Sequence, residues 1–272
     1  MTNLNIGKFK RRKINGNAVK KDLKQIDWKN PIVILLCIIL LFLTAGSTIS
    51  ACTGANKNAV RVELDAAFGG DDKGYEGIVN EAVVSENIVN ELETLLKKDR
   101  RFKVNRTHEA GTTATLAQRI EKINTDDPMI VLSIHADGHP NADLSGMHVY
   151  AKTPTQKNHE ASLKLADNIA SSFDEENWPV STGYLYYSLN NTTGNYEMKF
   201  VKEDDITDYK LDSFSLMKEC NLPVVVDNQF YVTNQGDVDR WANKDGYEEA
   251  AINLYNALCK YNGFTSNIAR NS

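Results

Sequence analysis

Strand-like and helix-like hydrophobic patterns alternate along the chain from residue 59 onward. Residues 60–65 alternate apolar and polar positions with the period of two that is typical of a strand. Apolar residues in 78–98 recur at spacings of three and four, which predicts an amphipathic helix. The continuous apolar run 129–134 favours a strand that is covered on both faces. The same patterns predict strands at 102–106, 146–151 and 223–226, and helices at 114–124, 160–173 and 246–261.

This alternation predicts one α/β domain at 59–264, with a mixed β-sheet flanked by helices on both faces. Residues 174–212 read as an irregular, polar segment with acidic residues at 203–205, and 265–272 as a C-terminal tail. The aromatic residues of that segment are Trp178, Tyr184, Tyr186 and Tyr187. They either line a glycan-binding rim or form the core of the segment, and we favour the core.

An apolar stretch separates this domain from the first residues of the chain. Residues 32–43 are continuously apolar, 44–51 are mildly so, and no charged residue lies between Asn30 and Lys57. The stretch is long enough to span a bilayer as a helix, which takes ~20 residues, and it lacks the polar face of a helix at a protein surface. We therefore predict a tail at 1–30, a transmembrane helix or lipoprotein signal segment at 31–51, and a linker at 52–58.

Charge divides the chain at the same place. Residues 1–30 carry nine Lys or Arg against two Asp, a net charge of +7, while the remainder carries 22 basic and 34 acidic residues, a net charge of −12. Positive charge before a span places the amino terminus in the cytoplasm and the domain outside, which indicates an extracytoplasmic domain at a cell membrane. The acidic domain would be repelled by phosphate, so we expect no nucleic-acid partner.

Two forms of anchor fit the apolar stretch. The segment Ile49-Ser-Ala-Cys52 resembles a bacterial lipobox, in which Cys52 would be lipidated and the preceding residues removed. The long basic tail instead favours a retained helix. Only Cys220 and Cys259 lie in the domain, where they either pair or, as we favour, remain unpaired in the core.

Polar residues follow three of the predicted strands, at Asp65, His135 and Asp227. Because ligand sites of open α/β sheets gather beyond the carboxyl ends of strands, these residues together indicate a site. Glu81 lies on the core-facing stripe of the first helix, where a buried acid needs a partner or a metal. Alternatively, it is a first-turn carboxylate that complements the helix dipole.

Several segments, in the same order along the chain, resemble the zinc-dependent N-acetylmuramoyl-L-alanine amidases. Asp65-Ala-Ala-Phe-Gly-Gly70 with Glu81 is similar to the motif Asp-x-Gly-His-Gly-Gly followed by a first-helix Glu. Ser133-Ile-His-Ala136 matches Ser-Ile-His-Ala, and 222–234 resembles the closing block Met-Pro-x-x-x-x-Glu-x-Gly-Phe-x-x-Asn. Arg106, Leu116, Arg119 and Asn124 resemble the family's segment between these blocks, and Gly146-Met-His-Val-Tyr150 its next strand. The resemblance extends from about residue 60 to 263.

The resemblance implies a mixed sheet flanked by helices and one zinc ion, held by two motif histidines and the first-helix glutamate. Glu81 and His135 would be two of these ligands, and the closing glutamate would act as general base on the zinc-bound water. The substrate would be the peptidoglycan amide that joins N-acetylmuramic acid to the L-alanine of the stem peptide.

This sequence departs from the family pattern at two chemical positions. Phe68 occupies the place of the first histidine ligand, and we assign the closing glutamate to Asp227, with Gln229 in place of the following glycine. Asp227 is therefore the catalytic candidate, and its carboxylate is one methylene shorter than glutamate. His139 and His148 are candidate substitute ligands for zinc, although we favour an ordinary loop histidine and an ordinary strand histidine at these positions.

Three functions remain open at this point. The domain is an amidase with an altered metal site, or a pseudo-amidase that binds muropeptide or regulates other cell-wall enzymes without cleavage. A third alternative is a structural part of an envelope complex that is contacted through residues 1–30.

Overall fold

In the computed structural model, the chain is described at residues 58–174, 177–189, 192, 194, 196–202 and 213–268. The tail at 1–30, the apolar segment at 31–51, Cys52, the acidic residues at 203–205 and residues 269–272 lie outside these ranges. Within the described ranges, no helix combines the length and the apolar character that crossing a membrane requires. The described residues belong to one compact unit, Asn56–Ser272.

Seven strands form a mixed sheet, as the alternating patterns predict. Its strands are β1 (Val60–Ala66), β2 (Phe102–Arg106), β3 (Ile130–Asp137), β4 (Met147–Tyr150), β5 (Val180–Leu189), β6 (Tyr196–Lys202) and β7 (Val224–Tyr231). The order across the sheet is β2-β1-β3-β7-β4-β5-β6. Strands β2, β1, β3 and β7 are parallel, whereas β7 pairs with β4 and β5 pairs with β6 in antiparallel fashion.

Helices cover both faces of this sheet. They are α1 (Glu81–Lys98), α2 (Leu116–Asp126), α3 (His159–Asp174), α4 (Ser215–Glu219), α5 (Gln235–Trp241) and α6 (Lys244–Tyr261). Side chains of α1, α3 and α6 pack in the larger core against alternate residues of β1, such as Val62 and Leu64. Ile123 of α2 and Met217 of α4 pack in a smaller core on the opposite face. The prediction of helices on both faces is confirmed.

The prediction for 174–212 is wrong in part, because this segment contains β5 and β6. Tyr184, Leu185 and Tyr186 are consecutive and all buried, so β5 lacks the alternation by which a half-buried strand is recognised. Strand β6 lies at the edge of the sheet and carries charged residues, which hide its strand character. Tyr184 and Tyr186 belong to the core, as favoured above.

The parallel strands bring the predicted site residues to one edge of the sheet. β1, β3 and β7 are neighbours, so Asp65, His135 and the end of β7 lie near each other. The N-terminus of α1 meets the same edge, and its first residue is Glu81. Cys220 and Cys259 are both buried and unpaired.

Candidate functional site

Asp65 is a structural anchor beneath the site rather than an exposed ligand. Its buried carboxylate accepts hydrogen bonds from Thr107 Oγ1 at 2.7 Å, from Ser133 Oγ at 2.7 Å and from Arg119 Nη1 at 2.8 Å. These partners come from the end of β2, from β3 and from α2. The carboxylate therefore ties three elements to the end of β1 and fixes the turn that follows.

Glu81 and His135 form a hydrogen-bonded pair. Glu81 Oε1 lies 3.0 Å from His135 Nδ1 and also accepts the backbone N–H of Ala136 at 3.2 Å. Glu81 Oε2 accepts the backbone N–H of Tyr75 at 3.0 Å. The Glu81 side chain is only 7% exposed. The two residues that the family resemblance assigns as zinc ligands are thus held side by side.

Phe68 lies beside this pair, where the resemblance expects a third ligand. Its ring meets the His135 ring edge to face, with centroids 5.7 Å apart and planes at 84°. A Cβ at Gly74 would lie 2.6 Å from the Phe68 ring and 2.8 Å from Glu81 Oε2, so the ring and the carboxylate border the same space. Phe68 offers no lone pair there.

The turn that carries Phe68 is supported by the loop after β2. Gly70 has a φ of +59°, and Thr113 Oγ1 donates to the Gly69 carbonyl at 2.8 Å. His108 belongs to this loop, with its Nδ1 3.0 Å from Thr107 Oγ1, and burial lowers the pKa of its imidazole. Sequence reasoning missed His108, although its position just after a strand end was an available signal.

Asp227, predicted to be catalytic, lies in the protein interior. It pairs in register with Ile134 of β3 and Val149 of β4, both of which face the larger core. The residue is fully buried, and burial raises the pKa of its carboxyl group well above the usual range. Its Oδ2 accepts a hydrogen bond from Gln229, and Oδ1 has no hydrogen-bond partner within the described part of the chain.

Asn228 occupies the position that was assigned to Asp227. The motif glutamate lies five residues after its proline and six before its asparagine, and counting from Pro223 or from Asn234 leads to residue 228. In the sheet, Asn228 pairs with His135 of β3 on one side and with His148 of β4 on the other. Register partners share a face, so these three side chains form one row across the sheet.

Asp137 connects this row to a second histidine. Its Oδ2 lies 2.7 Å from His148 Nδ1, and its Oδ1 accepts a hydrogen bond from Asn228 Nδ2 at 2.5 Å. The ring of His148 is flanked by Phe200 at 5.2 Å, Tyr231 at 5.9 Å and Tyr150 at 6.1 Å between centroids. The sequence patterns did not single out Asp137, because the bulge between His135 and Asp137 cannot be read from periodicity.

The side chains present do not fit a zinc site with three protein ligands. Glu81 and His135 are in place, but the third position is Phe68. His139 accepts the Asn141 N–H at 2.9 Å in an exposed loop, and His148 is bonded to Asp137 two strands away from His135. Within the described ranges, no three His, Cys, Asp or Glu side chains are grouped as a metal site requires.

Comparisons with known proteins agree with this architecture. The catalytic domain of CwlV, an N-acetylmuramoyl-L-alanine amidase from Bacillus (Paenibacillus) polymyxa var. colistinus, superimposes with a TM-score of 0.59 at 18% identity, over 76% of this chain and 99% of that one. An N-acetylmuramoyl-L-alanine amidase from Clostridium difficile 630 gives 0.61 at 17% identity, over 77% and 100%. At these identities, the likeness concerns the fold.

Sequence comparison supplies the family. A putative N-acetylmuramoyl-L-alanine amidase from Buchnera aphidicola subsp. Acyrthosiphon pisum is 26% identical over 119 residues, which is 43% of this chain and half the length of that relative. The family model described as N-acetylmuramoyl-L-alanine amidase matches residues 62–260, which include every site residue discussed above. The chain therefore belongs to the N-acetylmuramoyl-L-alanine amidase family.

Proposed function

We propose that this domain binds the stem peptide of bacterial peptidoglycan in the amidase cleft and does not hydrolyse it by the zinc mechanism of the family. One observation carries the proposal: beside His135, the ligand and general-base positions of the family motif are occupied by Phe68 and Asn228. Family membership supports peptidoglycan or muropeptide as the ligand class. The retained α/β scaffold supports a cleft that still presents Glu81 and His135.

Loss of the metal follows from the donor set. A catalytic zinc ion is normally held by three protein ligands and keeps an open position for water. Glu81 and His135 supply two donors, and the carbon ring of Phe68 supplies none. Two donors hold a metal ion weakly against solvent, so zinc would not remain bound at the concentrations that support catalysis.

Loss of the general base follows from the closing motif. A carboxylate at that position accepts a proton from the attacking water. The side-chain amide of Asn228 has no basic site at neutral pH, and its amino group is committed to Asp137. Asp227 does not compensate for this loss, because its carboxyl group lies on the opposite face of the sheet.

The location of the domain supports the same ligand class. We propose that the domain is attached to the outer face of a bacterial cell membrane, either by a retained helix at 31–51 or through lipidated Cys52 after removal of the residues before it. Partners in this compartment would be peptidoglycan, the membrane and other cell-wall enzymes whose products or activity the domain senses.

The proposal is tested by measuring zinc, binding and cleavage on the same preparation. We expect the full-length chain, purified in detergent, to hold much less than one zinc per chain after dialysis. It should co-sediment with purified peptidoglycan sacculi and release no new amino groups from them. Chelator-sensitive release of L-alanine amino termini would instead make the protein a working amidase, and failure to bind both sacculi and free stem peptides would remove peptidoglycan as the ligand.

A further inference from the structure

The sheet face that carries His135 also holds an acceptor-rich group of side chains that the amidase motifs do not assign. We call Asp137, His148 and Asn228 the polar cluster. These residues come from three different strands, β3, β4 and β7, and lie on the same sheet face as His135. Asp137 bonds to both other members, so the cluster is one connected unit.

The hydrogen bonds within the cluster leave acceptors unused. Asn228 Nδ2 donates a hydrogen bond to Asp137. The other end of the amide, Asn228 Oδ1, is a buried acceptor without a hydrogen-bond partner among the described residues. His148 directs Nδ1 to Asp137, so any further hydrogen bond of its ring is made through Nε2. A buried carbonyl oxygen without a donor costs about 1–3 kcal/mol. A ligand that brings N–H groups would remove this cost.

Aromatic rings enclose the same place. Phe200, Tyr231 and Tyr150 flank the His148 ring at 5.2 to 6.1 Å between centroids. The Asp137 and His148 side chains remain 19% and 22% exposed, so the cluster is within reach of solvent. The Asp137 carboxylate, which is bonded to the His148 ring that these aromatic rings flank, favours a small cation with several N–H donors, because a carboxylate attracts positive charge and accepts N–H groups.

We propose that the polar cluster binds the free ammonium group of a stem peptide, with Asp137 as the counter-ion and Asn228 Oδ1 as a hydrogen-bond acceptor. The inference rests on the proposed function and names the part of the ligand that is recognised. In uncleaved peptidoglycan the L-alanine nitrogen is an uncharged amide. Hydrolysis of that amide by a separate amidase creates the ammonium ion, so the domain would recognise the product of that reaction class.

A stem peptide has two sources of an ammonium group: the amino terminus of L-alanine and the side chain of its diamino acid. We expect the amino terminus to be bound. Asn228 holds the motif position of the general base, which acts next to the scissile amide, so the nitrogen of that amide lies closest to the cluster.

Calorimetry with the full-length chain in detergent and three synthetic probes distinguishes binding of the amino terminus from binding of the side-chain amine. The probes are L-alanyl-γ-D-glutamyl-L-lysine, the same tripeptide acetylated at its amino terminus, and the tripeptide acetylated at its lysine side chain. We expect acetylation of the amino terminus to weaken binding at least tenfold, and acetylation of the lysine to change it less than threefold. The reverse order would assign the cluster to the side-chain amine and overturn the assignment to the amino terminus.

Substitutions test whether the preference for a free amino terminus depends on the polar cluster. Asp137→Asn should weaken binding of the free tripeptide at least tenfold, while Asp143→Asn, which removes the same charge from an exposed loop position, should leave it unchanged. Phe200→Leu, which removes one ring and keeps an apolar side chain, should weaken it about threefold to tenfold. The thermal unfolding midpoint of each variant shows that it is folded. If Asp137→Asn does not fold, the binding of the free tripeptide by Phe200→Leu decides whether the polar cluster is the binding site.

Failure of this inference differs from failure of the proposed function. Equal binding of the free and amino-terminally acetylated tripeptides, or sacculus binding without any tripeptide preference, would overturn ammonium recognition while peptidoglycan binding stands. Absence of binding to all three probes and to sacculi would remove both.

Discussion

Phe68 meets His135 edge to face, with ring centroids 5.7 Å apart, at the place where the amidase motif has its first histidine. Edge-to-face packing of aromatic rings stabilises such a pair by about 0.5–1.5 kcal/mol beyond the burial of the rings. Where the motif has a metal-binding histidine, this chain therefore has a phenyl ring that packs against His135.

We expect Phe68→His to restore zinc binding. The new imidazole would stand next to Glu81 and His135, which are already held together, so a three-donor set would be complete. Dialysed protein should then retain close to one zinc per chain by elemental analysis. Phe68→Leu serves as the matched control, because it also removes the ring but adds no donor. Equal zinc content in the two variants would show that the turn no longer points residue 68 at the pair.

Cleavage should require a second change, Asn228→Glu, in addition to Phe68→His. Metal binding and proton abstraction are separate requirements, so the two substitutions should act together far more strongly than either alone. Release of L-alanine amino termini from peptidoglycan is the measurement. Pairing Phe68→His with Asp227→Glu should give no activity, because residue 227 faces the larger core. Activity in that second combination would reinstate Asp227 as the catalytic position.

Asp65→Ala should destabilise the domain by about 3–5 kcal/mol, the usual effect of removing one partner from a buried ion pair. It would leave Arg119 without its carboxylate and Thr107 and Ser133 without an acceptor. Urea unfolding provides the free energy of unfolding. As a control, Asp127→Asn removes the charge of a carboxylate that is 88% exposed and ion-paired with Arg61, and it should change stability by less than about 1 kcal/mol because asparagine tolerates the φ of +47° at this position.

The stability of the domain should fall between about pH 5 and pH 8, in part because of Glu63. Its carboxyl group is fully buried, and burial together with nearby Asp126 raises its pKa to about 8. Between pH 5 and pH 8 the folded state keeps the Glu63 proton, whereas the unfolded state, in which the pKa is about 4.3, has lost it. Stability is therefore complete below the unfolded pKa and is lost as pH rises, by at most about 1.4 kcal/mol per pH unit.

Glu63→Gln isolates this contribution from that of Asp227, whose raised pKa acts in the same direction. The glutamine cannot ionise, so the difference in unfolding free energy between wild type and variant should grow in favour of the variant from pH 5 to pH 8. A constant difference across this range would show that Glu63 is ionised throughout.

The charge step around residues 31–51 predicts the topology of the whole chain. Protease added to intact protoplasts should digest the domain and spare residues 1–30. Labelling with palmitate that disappears in Cys52→Ser would identify the lipoprotein anchor, whereas a full-length mature amino terminus would identify the retained helix. Protection of the domain in intact protoplasts would contradict the extracytoplasmic assignment.

The sequence by itself determined the family, the α/β alternation and the pair of Glu81 and His135. These conclusions depend on local patterns: apolar periodicity reports which side of an element is buried, and the motifs keep their order and spacing along the chain. Phe68 was recognised in the same way, because it stands between fixed neighbours, Asp65 and Gly69-Gly70. The edge strand β6 and the doubly buried β5 lack such a pattern and were not predicted.

Only the tertiary structure decided between Asp227 and Asn228. Successive side chains of a strand point to opposite faces. An error of one residue in aligning the motif therefore moves the candidate from the sheet face of His135 to the interior. The register places Asn228 on the sheet face of His135 and His148, and Asp227 among core residues. The polar cluster was equally invisible in the sequence, since its members are brought together from β3, β4 and β7 by the pairing of strands that are distant along the chain.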